Sequence, residues 1–203
     1  LGPALVGVYF VAVQVAERLW LPSKVISTVL LPRMAELHAH ADTRELTPLM
    51  SRLVLWGTVA ACLAVAVIAA PALRLLFGHE FLGAVQPLLW LLPGIALAGG
   101  SRIVANDFAA RGRPEWNSWL SVVTLVVNVA GNVALIPRYG ITGAAVATTI
   151  AYTVNTVARM FIYTRVAGVP WHEQVFLRRS DLRLVASAVR LGGNAVAGRV
   201  RRG

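Results

Sequence analysis

Five stretches of this chain are each long and apolar enough to cross a bilayer as a helix, which limits its fold more than any other feature. A lipid core is about 30 Å thick, so a crossing needs roughly 20 mostly apolar residues, and without water the backbone must satisfy its own hydrogen bonds. The segments run over residues 5–31, 49–70 or a little beyond, 85–110, 116–136 and 141–166. Composition agrees: 57% of the 203 residues are hydrophobic and 14% charged, too apolar for a disordered chain or an ordinary soluble domain. The predicted fold class is an all-α membrane protein, with a bundle of five transmembrane helices over residues 1–168 and a basic amphipathic C-terminal tail over 169–203.

The ends of these segments carry start and stop signals. Thr47 can cap the second helix with Pro48 in its first turn, and Gly78 suits its exit. Pro114 separates the third segment from the fourth. Pro137 and Gly140 leave so short a link between the fourth and fifth that these two are predicted to be antiparallel neighbours. Gly168 and Pro170 end the fifth. The chain opens on Leu1 and Gly2, with neither an initiator Met nor a basic leader, and is expected to be the C-terminal part of a longer protein.

Lys and Arg total 19 against 9 acids, a formal net charge of +10. The cations lie mainly between apolar runs, which assigns them to topology and not to nucleic acid. Arg33 and Arg44 separate segments one and two with Arg52 at the start of the second, Arg111 and Arg113 separate three and four, and Arg165 at the end of the fifth is followed by seven more arginines. The opposite side holds only Arg74 and Arg138. Because Lys and Arg are retained in the cytoplasm, the chain is expected to enter from outside and end inside. In the tail, Leu182, Val185, Ala186 and Val189 share one helical face, which suits a surface helix that enforces topology or meets anionic membrane lipids.

Ionisable side chains inside a membrane are costly and usually face a bundle interior or watery cavity. Segment one carries Gln14, Glu17, Arg18 and Lys24 along a broad polar flank, with Pro22 expected to kink or break the helix beside them. Segment three carries Arg102 and Asn106, four apart on one face, and Asp107, which can neutralise a neighbour. Pro93, Gly94, Gly99 and Gly100 let this helix bend, or let another backbone approach closely. Asn128 with Asn132 and Asn155 with Arg159 repeat the four-residue spacing and suit interhelical hydrogen bonds, with Arg159 also near enough to the end of segment five to snorkel outward. Ala144, Ala145, Thr148, Thr149 and Ala151 make segment five narrow enough for tight packing.

Signals for enzymatic chemistry are weak. His38 and His40 are two apart on a polar link, not at the spacing of a zinc-hydrolase pair, and no phosphate-cradling glycine loop with Lys is present. The lone Cys62 excludes an intramolecular disulfide and a cysteine metal site, and reads as a small buried hydrophobe. No cofactor or metal is implied.

The run Val6-Gly7-Val8-Tyr9-Phe10-Val11-Ala12, then Glu17, Leu19-Trp20-Leu21-Pro22 and Leu30-Leu31-Pro32-Arg33-Met34-Ala35-Glu36, resembles the repeat opening of bacterial polysaccharide flippases of the multidrug, oligosaccharidyl-lipid and polysaccharide exporter superfamily. Leu76-Phe77-Gly78-His79-Glu80-Phe81, Ala110-Arg111-Gly112-Arg113-Pro114 and Leu135-Ile136-Pro137-Arg138-Tyr139-Gly140 look like the corresponding later loops, in the same order. The resemblance covers residues 1 to about 168 and matches the C-terminal half of such a transporter, lacking its N-terminal transmembrane lobe. It implies alternating access around a central cavity, carrying an undecaprenyl-pyrophosphate-linked oligosaccharide from the inner to the outer leaflet of the cytoplasmic membrane. A lipid-linked pyrophosphate is an anion, so Arg18, Lys24 and Arg102 are the expected cationic contacts, with Glu17, Gln14 and Asn106 as further polar candidates for the cavity wall.

Two other readings stay open at this level. One is a drug or metabolite antiporter of the same superfamily, driven by Na+ or H+, with Glu17 or Asp107 as the ion-linked carboxylate. The other is a structural membrane fragment inactive alone, because one lobe cannot provide alternating access by itself.

Overall fold

The computed structural model describes residues 2–21, 46–177 and 181. Helix α1 spans Pro3–Arg18, with Pro3 in its first turn, where a missing N–H costs nothing. It ends in a turn at Leu19 and Trp20, just ahead of Pro22. Helix α2 spans Leu46–Phe77 and starts one residue before Thr47, which lies buried in its first turn and is not its cap. Gly78 closes it with φ 93, a conformation that side chains resist, and a 3-10 turn over His79–Ala84 leads into α3, Val85–Ala110. Helix α4 spans Glu115–Ala167, and a short α5, Trp171–Val175, follows. No strand occurs among the described residues.

Straight, the 53 residues of α4 would measure about 80 Å, far more than one crossing needs. Gly140 resolves this: its φ of 57 and ψ of −135 break the helix. Only glycine adopts that combination at little cost. The limbs 115–139 and 141–167 then fold back antiparallel, as the short link predicts. Asn128 Nδ2 donates to Thr148 Oγ1 at 3.2 Å and Asn155 Nδ2 to the Leu120 carbonyl at 3.1 Å, both from limb to limb. Gly131 faces Ala147 so closely that a Cβ would sit 2.9 Å from the alanine's own.

The five rods, α1, α2, α3 and two limbs, agree in number and order with the five segments expected from sequence, although α1 ends at Arg18 and residues 22–31 of the first segment, with Pro22, lie outside the described residues; α2, the 3-10 turn with α3, and α4 are long and apolar enough to span a bilayer. The chain is a multi-pass membrane protein. Helix α3 sits centrally, packed on both α2 and α4, with α1 against it. Its glycines serve close approach: a Cβ on Gly94 would lie 2.8 Å from the Thr149 Cα, and one on Gly100 2.8 Å from the Ser51 carbonyl oxygen. Cys62 is buried among the apolar residues between α2 and α3, as expected for a small hydrophobe.

After α4 the chain turns at Gly168, φ 66, and α5 folds back onto the start of α2. Arg52 donates from Nη1 to the Glu173 carbonyl at 3.0 Å and from Nη2 to Asp181 Oδ1 at 2.7 Å, while Trp56 Nε1 donates to the Val175 carbonyl at 2.8 Å. Arg52 therefore serves as a structural clasp as well as a topological charge. Leu182, Val185, Ala186 and Val189, assigned above to a surface helix, lie outside the described residues.

Candidate functional site

Four helical stripes converge on one interior. On α1, Tyr9, Val13, Ala16 and Glu17 fall at spacings of four, three and one; on the first limb of α4, Ser121, Thr124, Leu125 and Asn128 fall at three, one and three, again a single helical face. The second limb offers Thr148, Tyr152, Asn155 and Arg159, and α3 offers Leu91, Ile95, Ala98 and Arg102. Between them lie two adjoining hollows that share Ser121, Thr124 and Tyr152, one of about 430 Å³ and one of about 220 Å³. The larger is edged by Tyr9, Glu17, Asn128 and Thr148; the smaller by Trp20, Ser101, Arg102, Asn155 and Arg159.

The smaller hollow is cationic. Arg102 lays its guanidinium over the face of Trp20, 3.8 Å from the ring centroid, an arrangement the ring quadrupole favours. Trp20 is itself held: its Nε1 donates to the Ile95 carbonyl at 3.1 Å, and its ring rests against Tyr152 with centroids 5.4 Å apart. Arg159 is 9% exposed and donates from Nη1 to Ser101 Oγ at 3.1 Å and to the Ser101 carbonyl at 3.3 Å. Its Nε is buried with no hydrogen-bond partner among the described residues. Arg159 thus turns inward and does not snorkel. The lining carries two guanidiniums and no carboxylate, and neither Arg102 nor Arg159 forms an ion pair among the described residues. Charges buried in a membrane are normally paired or face a watery cavity.

Of the residues expected from sequence, Glu17 and Arg102 are brought to the paired hollows. Gln14 and Arg18 lie exposed on α1 and line neither. Asn106 sits one turn beyond Arg102, half-buried, with Nδ2 shielded from solvent and without a hydrogen-bond partner among the described residues. Lys24 lies outside the described residues. Asp107 is fully buried and accepts from Arg111 Nε at 2.7 Å. Arg111 lies just past the end of α3; burial works to lower its pKa, but the hydrogen bond and charge of Asp107 outweigh it and hold the guanidinium above its ordinary value. Asp107 is therefore a charge partner at the end of the helix, not a wall of either hollow.

Arg159, Tyr152 and Asn155 belong to the site but were not singled out for it from sequence. The available signal was the four-residue spacing of Asn155 and Arg159, continued backward through Tyr152 and Thr148 as one stripe. Asn155 also staples the limbs, its Nδ2 donating to Thr124 Oγ1 at 2.5 Å.

Comparison with known proteins places these observations in context. The family described as Lipid II flippase MurJ matches residues 12–196. The probable low-salt glycan biosynthesis flippase Agl15 of Haloferax volcanii is 26% identical over 155 residues, 75% of this chain and 33% of that protein. The structure of lipid II flippase MurJ in an inward closed conformation superposes with a TM-score of 0.72 at 16% identity, covering 79% of this chain and 36% of that one, a likeness of fold. The chain spans about a third of the length of either protein.

Proposed function

This chain belongs to the lipid II flippase MurJ family, within the exporter superfamily its motifs resemble, and from that premise we propose that it is part of a transporter moving a lipid-linked glycan across the cytoplasmic membrane. The proposed cargo is an undecaprenyl-pyrophosphate-linked oligosaccharide, carried by alternating access between residues 1–168 and an N-terminal lobe. The basic segment 169–203 then lies in the cytoplasm, in line with the positive-inside rule.

The observation that carries this reading is the smaller hollow, where Arg102 and Arg159 present guanidinium groups with no carboxylate among their neighbours in the lining. A diphosphate is the complementary ligand: its oxygens accept charge-assisted hydrogen bonds, and the planar guanidinium fork suits them better than an ammonium would. Arg18, on the exposed side of α1, is proposed as a further contact for the anion. The work done is binding and reorientation; no bond of the cargo is broken.

The test is genetic. Removing the full-length protein should trap lipid-linked glycan on the cytoplasmic face. An Arg18→Ala allele should lower surface glycan several-fold while the protein inserts at its normal level. Normal display at normal protein level would remove Arg18 from the pathway, and normal display without the protein would reject the transport assignment.

A further inference from the structure

The larger hollow differs from the smaller in one respect that matters for a ligand long enough to occupy both. Its wall holds a carboxylate, Glu17, and no cation; the smaller holds two cations and no carboxylate. The rest of the larger wall is tyrosine, amide and hydroxyl among aliphatic groups, a mixture that fixes the orientation of a polar but uncharged body. Glu17 is exposed at the surface of α1, with no hydrogen bond or ion pair to another side chain among the described residues. It remains close enough to Arg102 for their charges to interact.

Resting on the assignment of the smaller hollow to a diphosphate, we propose that Glu17 is a specificity-determining residue: it admits a neutral or amine-bearing first sugar beyond the diphosphate and rejects an acidic one. With the diphosphate anchored at Arg102 and Arg159, the adjoining sugar falls in the chamber that Glu17 edges. A uronate there faces a like charge in a medium poorer in screening than bulk water, which corresponds to discrimination of about tenfold or more. A neutral sugar meets only hydrogen-bonding groups and tyrosine rings.

The probes are short-chain prenyl-diphosphate N-acetylglucosamine, its uronate counterpart and the bare prenyl diphosphate, titrated against the full-length protein in nanodiscs. The expected result is a neutral-to-acidic affinity ratio of about ten or more, falling to within about twofold of unity in Glu17→Gln. That substitution keeps the size of an exposed side chain and leaves the fold intact. Taking the ratio cancels any general gain in anion binding when the negative charge is removed. A ratio near one in the unaltered protein, or a ratio that survives Glu17→Gln, overturns the role of Glu17 while leaving the diphosphate site standing. Failure of all three probes to bind overturns the diphosphate site itself, and the role of Glu17 with it.

Discussion

Replacing Arg102 and Arg159 together by methionine is expected to weaken binding of a prenyl diphosphate to the full-length protein by at least about a hundredfold. Hydrogen bonds to charged groups contribute about 1.5–3 kcal/mol each, and two lost guanidiniums exceed the roughly 2.8 kcal/mol that a hundredfold change represents. The fold should survive. Neither arginine forms an ion pair among the described residues, so no buried acid loses a direct partner, the exposed Glu17 losing only a longer-range attraction, and removing two charges from a membrane interior relieves their desolvation cost. Methionine also preserves much of the volume against Trp20 and Ser101. The measurement pairs a binding titration with thermal unfolding in detergent. A variant that binds normally would remove the diphosphate from this hollow. One that loses binding only because it unfolds early would show that the two arginines are structural.

The second large effect lies away from the hollows. Arg52→Ala is expected to lower unfolding stability by about 1.5–3 kcal/mol, because it removes a charge-assisted hydrogen bond between side chains that are only 7% and 1% exposed. The same change removes the donor to the Glu173 carbonyl. Replacing both partners with apolar groups of similar volume, Arg52→Met with Asp181→Leu, should recover part of that loss, since neither charge of this buried pair then remains. Chemical denaturation of the unaltered protein and the two variants decides the matter. A cost below about 1 kcal/mol for Arg52→Ala is what a solvated surface pair gives, and would mean that the segment after α4 is not clasped to α2.

The crossings were legible because lipid imposes one requirement on every residue of a span, and the apolar runs meet it without reference to distant parts of the chain. The hairpin was legible for a similarly local reason, since Pro137 and Gly140 leave no room for any other link. The closeness of α3 to its neighbours was half legible: Gly94 and Gly100 announced a bend or a close approach, and only the positions of Thr149 and Ser51 decide between them. Glu17 and Arg102 could be picked out as charges in apolar surroundings. Arg159 could not be distinguished from a snorkelling side chain, because its direction depends on Ser101, 58 residues away in sequence. The clasp was hidden for the same reason: Arg52 looks like an ordinary cytoplasmic cation until Asp181 is placed beside it. Contacts across long sequence separations have no local signature, and these set the site.

Whether the joined hollows are wet and take a phosphorylated lipid can be read at one atom. Ser121 edges both, so Ser121→Cys, combined with Cys62→Ala to remove the buried native thiol, provides a reporter in the full-length protein. A membrane-impermeant thiol reagent is expected to label it, and a prenyl diphosphate is expected to slow that labelling at least severalfold. A cysteine that stays unlabelled, or one labelled at the same rate with and without the diphosphate, would contradict the account.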